Sequence, residues 1–390
     1  MDNNTHKPKI TNFSIDLDED TKKQFDDCCA HSFVKSASLM PDAHKGYVAP
    51  IGSVFRTRGV VVPSWVGYDI GCGMIACKFS YPNIVELVRS NSSKIFDLVN
   101  DSIPMGKGKI GSHGDVSNFT SRGFGVSVLK FSKREYNDDI FKFVKTQAKA
   151  HLGSLGSGNH FIEIGADSIT PNPDQLWLVI HSGSRGVGHK IATHYMKSAS
   201  GSDTKFEETH ALDVLSKDGI EYMSVLKFGL EFALLNRLEM AYRVQDVLRD
   251  VLNDKKISFE MWVNKNHNHC VPEANYFVHR KGATPAKLNE RGVIPANMRD
   301  GCFLVKGKGN EKFLQSSSHG AGRKLSRGQA RREVSLEEFE KSMDGIVAPV
   351  DESRIDESPF AYKNIYDVMA AQSESVETVA HILPIINWKG

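Results

Sequence analysis

The chain has 390 residues, of which 40% are hydrophobic and 25% are charged. This composition is typical of a globular protein and excludes an intrinsically disordered chain. Its 49 Lys and Arg nearly balance its 47 Asp and Glu, so net charge alone gives no indication of nucleic-acid binding, although a local basic patch remains compatible with it.

Hydrophobic periodicity predicts helices, in chain order, near Asp18–Ser32, Asn83–Val99, Glu135–His151, Gly188–Ala199 and Val225–Leu252, the last of which is apolar on two sides. Strands are predicted within the glycine-punctuated stretch Met40–Met74, as at Val60–Val62, and at Gln175–His181, Phe259–Val263, Tyr276–His279 and Phe303–Val305. Residues 103–128 are rich in Gly and Ser and predict a loop. The C-terminal region is predicted to be helical over Gly328–Arg332, Leu336–Met343, Tyr366–Ser373 and Val376–Leu383.

Strands and helices are mixed without a regular βαβ alternation, which predicts an α+β fold rather than a doubly wound sheet. No repeat or linker is visible, so we expect one compact domain over residues 1–390, of which 1–35 form an N-terminal segment. The N-terminus has no apolar signal core and no run approaches 18 apolar residues. We therefore expect a cytoplasmic protein without a membrane span.

Six cysteines are too sparse and irregular for a disulfide scaffold, and in a cytoplasmic chain a cysteine is more often a ligand or a packing residue. Asp69 and Cys72 stand three residues apart in the glycine-rich run GYDIGCGM. Glycines let such a run approach a ligand closely. A carboxylate and a thiolate together suit a divalent transition metal, and a thiolate sulfur can bridge two such ions. A buried cysteine in a glycine turn is the alternative.

His160, His181 and His267 each end an apolar or glycine-rich run. Taken singly, each is better explained as a core or surface histidine, but together with Asp69 and Cys72 they form a plausible ligand set for two metal ions. His269 and Cys270 follow His267 closely, so the third histidine ligand is ambiguous.

The motif Ser318-His-Gly-Ala-Gly-Arg323 places a histidine before two glycines and an arginine. Backbone N–H groups and a guanidinium bind phosphate oxygens, and an imidazole with a fixed tautomer is a competent nucleophile. A tight turn with an exposed histidine is the alternative. Gly153–Gly158 has the wrong spacing for a dinucleotide fingerprint. The apolar Ile382–Trp388 indicates that Lys389 is packed against the protein rather than frayed.

These motifs, in this order, resemble the RtcB family of RNA-splicing ligases from about Met40 to Gly390. The resemblance rests on PDAHKG, GYDIGCGM, GSGNHFIE, HSGSRG, SSSHGAGR, DESPFAYK, AAQS and the terminal KG. A chance match to one motif is plausible, whereas a chance match to all of them is not. The resemblance implies an RtcB-like domain with mixed β-sheets, surrounding helices and a central cleft for metal and nucleotide.

The resemblance further implies a GTP- and Mn²⁺-dependent ligase that joins 2′,3′-cyclic phosphate or 3′-phosphate RNA ends to 5′-hydroxyl ends through a histidine–GMP intermediate, in RNA repair or tRNA splicing. His319 would be the nucleophile and Asp42 its orienting partner. Two manganese ions would be held by Asp69, Cys72, His160, His181 and His267, with Cys72 bridging. Implied nucleotide contacts are Asn159, Glu163, Ser318, Gly320, Ala321, Gly322, Arg323, Tyr362 and Lys389, and Arg185 is the implied RNA-phosphate contact.

The chain departs from the family pattern at Gly46–Pro50, at Pro295–Arg299 and at His267-Asn-His269. These departures favour a divergent bacterial-type paralogue, which we expect to be a monomer and for which an accessory activating protein is a candidate partner. The competing hypotheses are a metal-dependent phosphohydrolase or cyclic phosphodiesterase that has lost ligation, and a non-catalytic RNA-binding factor.

Overall fold

The computed structural model describes residues 7–106 and 138–390, without the side chains of residues 138, 139, 141 and 145. The helices of this part are α1 (Glu19–Cys29), α2 (Pro63–Val66), α3 (Ile84–Ser90), α4 (Ser92–Ser102), α5 (Asp138–His151), α6 (Gly186–Ser200), α7 (Lys217–Leu252), α8 (Arg327–Glu333), α9 (Leu336–Ser342) and α10 (Ile365–Ala371). Short 3₁₀ helices span Glu311–Phe313, Glu352–Glu357 and Pro359–Ala361.

The strands of the same part are β1 (Lys9–Asn12), β2 (Val34–His44), β3 (Ile51–Thr57), β4 (Val60–Val61), β5 (Gly73–Ser80), β6 (Phe161–Asp167), β7 (Gln175–Ser182), β8 (Leu212–Asp213), β9 (Phe259–Asn266), β10 (Asn268–Glu273), β11 (Tyr276–Lys281), β12 (Ala283–Pro285), β13 (Arg291–Pro295), β14 (Cys302–Gly307), β15 (Ser316–Ser318) and β16 (Val376–Lys389).

Two larger sheets organise these strands. A seven-stranded antiparallel sheet has the order β13-β14-β16-β6-β7-β5-β9, and a five-stranded sheet has the order β1-β2-β3-β11-β10, in which only β1 and β2 are parallel. The pairs β12-β15 and β4-β8 form two further small sheets. The α+β expectation is confirmed, because strands and helices mix without parallel βαβ units.

Helix α7 is the longest described helix, with 36 residues, and it begins earlier than the sequence predicted. The Ser216 hydroxyl accepts a hydrogen bond from the Gly219 N–H and caps its start, while Asn253 ends it in a left-handed conformation. Its first half packs in one apolar cluster through Val225 and Phe232, and its second half packs under the seven-stranded sheet through Val244. Each such side chain contributes about 1.5–3 kcal/mol on burial.

The predicted helix over Asn83–Val99 is divided into α3 and α4. Asn91 ends α3, and its side-chain amide donates to the Leu87 carbonyl, so the side chain competes with continuation of the helix. The predicted loop over 103–128 lies mostly outside the described residues, as do the first three residues of the helix predicted over Glu135–His151. The other predicted helices and strands occur with small shifts of their ends, except for one.

The prediction of a helix over Val376–Leu383 is wrong, because this segment begins the 14-residue strand β16. Strand β16 pairs with β14 on one side and with β6 on the other. Register shifts interrupt both pairings, and they break the alternation of buried and exposed residues that normally identifies a strand. Pro384 lies at one of these shifts, where a missing N–H is tolerated within a central strand.

Within residues 7–106 and 138–390, no helix combines the length and apolar content needed to cross a membrane.

Candidate active site

A cleft of about 470 Å³ is lined by residues from both larger sheets and from the loops that leave them. Most residues that the sequence singled out line this cleft: Asp69, Cys72, Asn159, Glu163, His181, His267, His319, Gly320, Ala321, Gly322, Arg323, Tyr362 and Lys389. Asp42, His160, Arg185 and Ser318 lie behind the lining residues and reach the site through the contacts described below. The structure thus brings together groups that are up to about 350 residues apart in the chain.

One end of the cleft carries a cluster of buried donor atoms. The Cys72 Sγ lies 3.1 Å from His181 Nε2 and 3.5 Å from His160 Nε2, and the ligand atoms of these three residues all lie within 4.8 Å of one another. Asp69 Oδ2 lies 3.1 Å from His160 Nε2, and His267 Nε2 lies 3.2 Å from His181 Nε2. All five predicted metal ligands therefore converge on one region, with Cys72 between two histidines.

The imidazoles are oriented by backbone carbonyls. His160 Nδ1 lies 3.0 Å from the Leu155 carbonyl oxygen, and His181 Nδ1 lies 3.1 Å from the Asn159 carbonyl oxygen. If each Nδ1 carries the proton and donates it to that carbonyl, each Nε2 presents a lone pair to the cluster. This arrangement is the usual one for histidines that bind a metal ion.

The charges of the cluster also suit a cation. Burial and the neighbouring histidines hold the pKa of His181 and His267 well below the ordinary value, so both imidazoles are neutral, as metal ligands must be. Burial opposes ionisation of Asp69, but His160 more than offsets it and lowers the pKa of that carboxyl. Burial and Asp69 raise the pKa of Cys72, and a bound cation would favour its thiolate. This mixed set of sulfur, nitrogen and oxygen donors fits a divalent transition metal.

Of the neighbouring candidates for the third histidine position, the structure places His267 beside the cluster, directly after the end of β9. His269 and Cys270 lie on β10 and are buried elsewhere. Cys270 packs in the apolar cluster that also contains Tyr222. Burial lowers the pKa of His269 well below its ordinary value, and the neighbouring Arg280 and His279, which lie on β11 of the five-stranded sheet, lower it further.

Two consecutive residues of α7 hold the ligand-bearing loops from below. The Asn236 side chain accepts hydrogen bonds from the N–H groups of Gly153 and Ser154 and donates to the carbonyls of Ser154 and Gly183. Fully buried Arg237 donates to the carbonyls of Gly71 (2.9 Å) and Ser182 (2.8 Å).

Arg237 also donates to the side-chain oxygens of Asn264 and Asn266, the latter directly before His267. Together, Asn236 and Arg237 fix the loops that carry Cys72, His160, His181 and His267. Sequence analysis missed both residues, since a polar pair within a long helix carries no local sign of this function.

His319 lies beside the cluster, and its ring is 4.9 Å from that of His267. Its Nδ1 lies 2.7 Å from Asp42 Oδ2, which also accepts from the N–H groups of His319 and Gly320. Asp42 is fully buried at the end of β2; burial opposes its ionisation, but the adjacent imidazole more than offsets this and lowers its pKa. The carboxylate therefore fixes the His319 tautomer with Nδ1 protonated and Nε2 available.

The turn after His319 depends on close backbone contacts. Gly322 has a φ of 74°, and a Cβ there would lie 2.2 Å from the Asp42 carbonyl oxygen. The Ser318 hydroxyl accepts from the Asp42 N–H at 3.3 Å, and the Ser318 N–H donates to Gln372. Strand β15 and the end of β2 are thus locked together, and this contact sets the distance between His319 and Asp42.

A second group of cleft residues is a network of charged groups around buried Glu357. Its carboxylate lies 2.9 Å from Lys389 Nζ and 2.5 Å from Arg327 Nη1, and it accepts a hydrogen bond from the Tyr362 hydroxyl. Burial opposes ionisation of Glu357, yet Lys389 and Arg327 lower its pKa to about 2. Arg323 stacks its guanidinium 5.3 Å from the Tyr362 ring centre. Lys389 is packed as predicted, with 5% exposure.

Glu163 and Asn387 are cross-strand partners on β6 and β16 and both line the cleft. The Asn387 amide donates to Glu163 Oε2 at 3.0 Å, whereas Glu163 Oε1 and Asn387 Oδ1 have no hydrogen-bond partner within the described residues. Burial raises the pKa of Glu163 to about 8. Unsatisfied buried acceptors of this kind are expected where a ligand supplies the donors.

Arg185 precedes α6 with a φ of 57°. Its guanidinium lies over Gly156, where a Cβ would be 1.9 Å from Arg185 Nη1 and 2.7 Å from His160 Nδ1. Its Nε has no hydrogen-bond partner in the described part of the chain. Arg185 is therefore next to the metal-ligand cluster, but behind rather than within the cleft lining.

Comparison with known proteins agrees with this geometry. Residues 27–390 match the family model described as tRNA-splicing ligase RtcB. The chain is 32% identical to the RNA-splicing ligase RtcB of Escherichia coli (strain K12) over 402 residues, which cover 98% of this chain and 97% of that protein. It is 27% identical to the tRNA-splicing ligase RtcB of Methanococcus maripaludis, over 90% and 87% of the two chains, and 28% identical to the RNA-splicing ligase RtcB of Mycobacterium tuberculosis, over 92% and 97%. This chain belongs to the RtcB family.

Proposed function

We propose that this chain is a GTP- and manganese-dependent RNA ligase that joins a 2′,3′-cyclic phosphate or 3′-phosphate end to a 5′-hydroxyl end. The relatives named above are RNA-splicing or tRNA-splicing ligases, which supports RNA ligation as the reaction class. The observation that carries the proposal is the His319–Asp42 pair directly beside the Cys72 cluster. A nucleophilic histidine next to metal ligands suits transfer of a nucleotidyl group, which depends on positioning and electrostatics.

In the first step, His319 Nε2 attacks the α-phosphorus of GTP. A nitrogen–phosphorus bond forms, the bond between the α-phosphorus and its bridging oxygen breaks, and pyrophosphate leaves. Asp42 keeps Nδ1 protonated and stabilises the positive charge that develops on the imidazole. The Gly320–Arg323 turn offers backbone N–H groups to phosphate oxygens, and Glu163 with Lys389 contacts the rest of the nucleotide.

The RNA end then accepts the nucleotide. Water opens the cyclic phosphate to a 3′-phosphate, whose oxygen attacks the phosphorus of histidine–GMP and releases His319. The RNA 5′-hydroxyl attacks the activated 3′-phosphate, a phosphodiester bond forms, and GMP leaves with the bonding electrons while the hydroxyl proton is lost. Arg185 contacts an RNA phosphate in this proposal.

Asp69, Cys72, His160, His181 and His267 would hold the two manganese ions. When bound, these ions neutralise negative charge on the reacting phosphates and favour ionisation of the attacking hydroxyl.

A gel assay tests the activity with two labelled RNA pieces, one ending in a 2′,3′-cyclic phosphate and one beginning with a 5′-hydroxyl. The native chain with GTP and Mn²⁺ should join them, and His319→Ala should not. Opening of the cyclic phosphate without joining by the native chain would replace ligation with a phosphodiesterase activity.

A further inference from the structure

Tyr47 presents an unusually bare aromatic ring at the mouth of the cleft. The residue is 80% exposed, yet it contributes to the cleft lining. Among the described residues, only Leu215 is a more exposed large hydrophobic residue. Tyr47 also belongs to Gly46–Pro50, one of the segments in which the chain departs from the family pattern.

The backbone beneath this ring is held firmly. The Gln24 side chain of α1 accepts a hydrogen bond from the Gly46 N–H at 3.0 Å and donates to the carbonyls of Gly46 (2.8 Å) and Tyr47 (3.2 Å). Gly46 forms a tight turn, since a Cβ there would lie 2.2 Å from the Ala49 carbonyl oxygen. A fixed backbone with a bare ring is a pre-organised arrangement, because little backbone entropy is lost when a ligand packs on it.

Two further rings extend this surface. The Tyr47 ring meets Tyr68 edge to face at 5.9 Å, and Tyr68 stacks on His189 at 4.7 Å with an interplanar angle of 17°. The Tyr68 hydroxyl donates a hydrogen bond to Glu207, which fixes the middle ring. His189 lies on α6, the helix that follows Arg185, and Tyr68 directly precedes Asp69. The three rings, Tyr47, Tyr68 and His189, form an aromatic surface that begins beside Asp69 of the donor cluster.

Positive charges flank the same surface. Lys45 and Lys281 both line the cleft; Lys45 Nζ pairs with the exposed Asp20 carboxylate at 2.6 Å, and Lys281 Nζ lies next to Gly67 and donates to the Val66 carbonyl at 3.1 Å. An aromatic surface with adjacent cations is suited to single-stranded nucleic acid, because bases stack on the rings while phosphates meet the cations.

We propose that the aromatic surface binds an unpaired base of the RNA end being joined, with Tyr47 stacking on the base and Tyr68 and His189 supporting it. This inference rests on the proposed function, since it names the part of the RNA that the site recognises. It makes Tyr47 a determinant of RNA binding and leaves guanylylation of His319 independent of the ring.

The test uses Tyr47→Ala, with Tyr47→Phe as the matched control that keeps the ring. The probe is a single-stranded RNA that ends in a 3′-phosphate and carries fluorescent 2-aminopurine as its last base, titrated with each variant without GTP. Tyr47→Ala should weaken RNA binding about 10-fold, within the range of base–aromatic stacking, and Tyr47→Phe should bind within about twofold of the native chain. Quenching of the 2-aminopurine on binding should be lost only in Tyr47→Ala.

Labelling of the same variants with GTP separates this inference from the proposed function. If the native chain is never labelled, the ligase proposal fails, but the RNA titration still reports on Tyr47. If Tyr47→Ala binds RNA like the native chain, the inference is overturned. The inference is equally overturned if Tyr47→Ala leaves RNA binding intact and weakens GTP binding, because the ring would then contact GTP rather than RNA. The exposed position makes a folding defect improbable, and a thermal unfolding measurement checks this directly.

Discussion

Two groups of cleft residues, the donor cluster around Cys72 and the charged network around Glu357, are built in different ways. Around the Cys72 cluster, backbone carbonyls orient His160 and His181, and the buried side chains of Asn236 and Arg237 hold the neighbouring loops. In the second group, charged side chains hold one another around Glu357, and Glu163 and Asn387 nearby in the cleft each keep one oxygen without a hydrogen-bond partner in the described part of the chain. Substitutions beneath the Cys72 cluster should therefore lower metal affinity strongly. Substitutions around Glu357 and Glu163 should have smaller effects on stability and affinity, and these effects should depend on pH.

The largest effect is expected from Arg237→Met, which removes four hydrogen bonds beneath the ligand-bearing loops. Mn²⁺ affinity should fall by about 100-fold, the upper range for loss of groups that orient metal ligands. A titration of Mn²⁺ followed by electron paramagnetic resonance measures this without any assay of activity. Exposed Arg332→Met serves as the matched control and should bind Mn²⁺ like the native chain. Unchanged Mn²⁺ affinity in a folded Arg237→Met variant would mean that the loops hold their shape alone.

An intermediate effect is expected from Glu357→Gln, which leaves buried Lys389 without its counter-ion. Breaking a buried pair costs about 3 kcal/mol or more, but Arg327 is partly exposed, so we expect the free energy of unfolding to fall by about 2 kcal/mol at pH 7. The folded-state pKa of Glu357 is lowered to about 2, so its stabilisation is present above the ordinary value of 4.5 and is lost as pH falls toward 2.

Urea denaturation at pH 7 and at pH 3 measures both parts of this prediction. The difference between the native chain and Glu357→Gln should shrink at the lower pH. Glu352→Gln, on an exposed carboxylate, is the control and should change neither value. A difference that is the same at both pH values would contradict an ionised Glu357 as the stabilising group.

The smallest effect is expected from Asn387→Leu, which removes the donor to Glu163. Burial raises the pKa of Glu163 to about 8, so its ionised carboxylate becomes more populated as pH rises. Because the ionised form accepts hydrogen bonds from N–H groups of the guanine base, GTP affinity should increase between pH 6.5 and 8.5. Without the Asn387 amide the pKa of Glu163 should rise further, so GTP affinity should drop about fivefold at pH 7, the size expected for one hydrogen bond, and should partly recover at pH 8.5.

Binding of a fluorescent GTP analogue across this pH range tests the Asn387 prediction. Glu163→Gln should remove the pH dependence, because the neutral amide does not titrate. Equal pH profiles in the native chain and Asn387→Leu would show that Asn387 does not act through Glu163.

The sequence predicted much of this site but not its support. Local motifs marked the candidate metal ligands and His319, yet Asp42 precedes His319 by 277 residues, and the contact between β2 and β15 brings them together. That pairing came from family resemblance and not from spacing. Glu357 stands within the DESPFAYK motif that directed attention to Tyr362, and Asn387 stands two residues before Lys389, so their neighbours carried a signal that their own types did not.

The fold shows the same limit in physical terms. Long periodic segments such as α7 were predicted, because their apolar spacing reports burial on a helix. Strand β16 was mistaken for a helix because register shifts against β14 and β6 disrupt its alternation. Such shifts depend on partner strands far away in the chain, and a local pattern does not contain them.

The most direct test of the central claim is incubation with Mn²⁺ and GTP labelled at the α-phosphate, followed by identification of the modified peptide. The account predicts an acid-labile, alkali-stable GMP adduct on His319 in the native chain and none in His319→Ala, with a reduced yield in Asp42→Asn because the imidazole tautomer is no longer fixed. A label that survives in His319→Ala, or no label on a native chain that binds Mn²⁺, would contradict it.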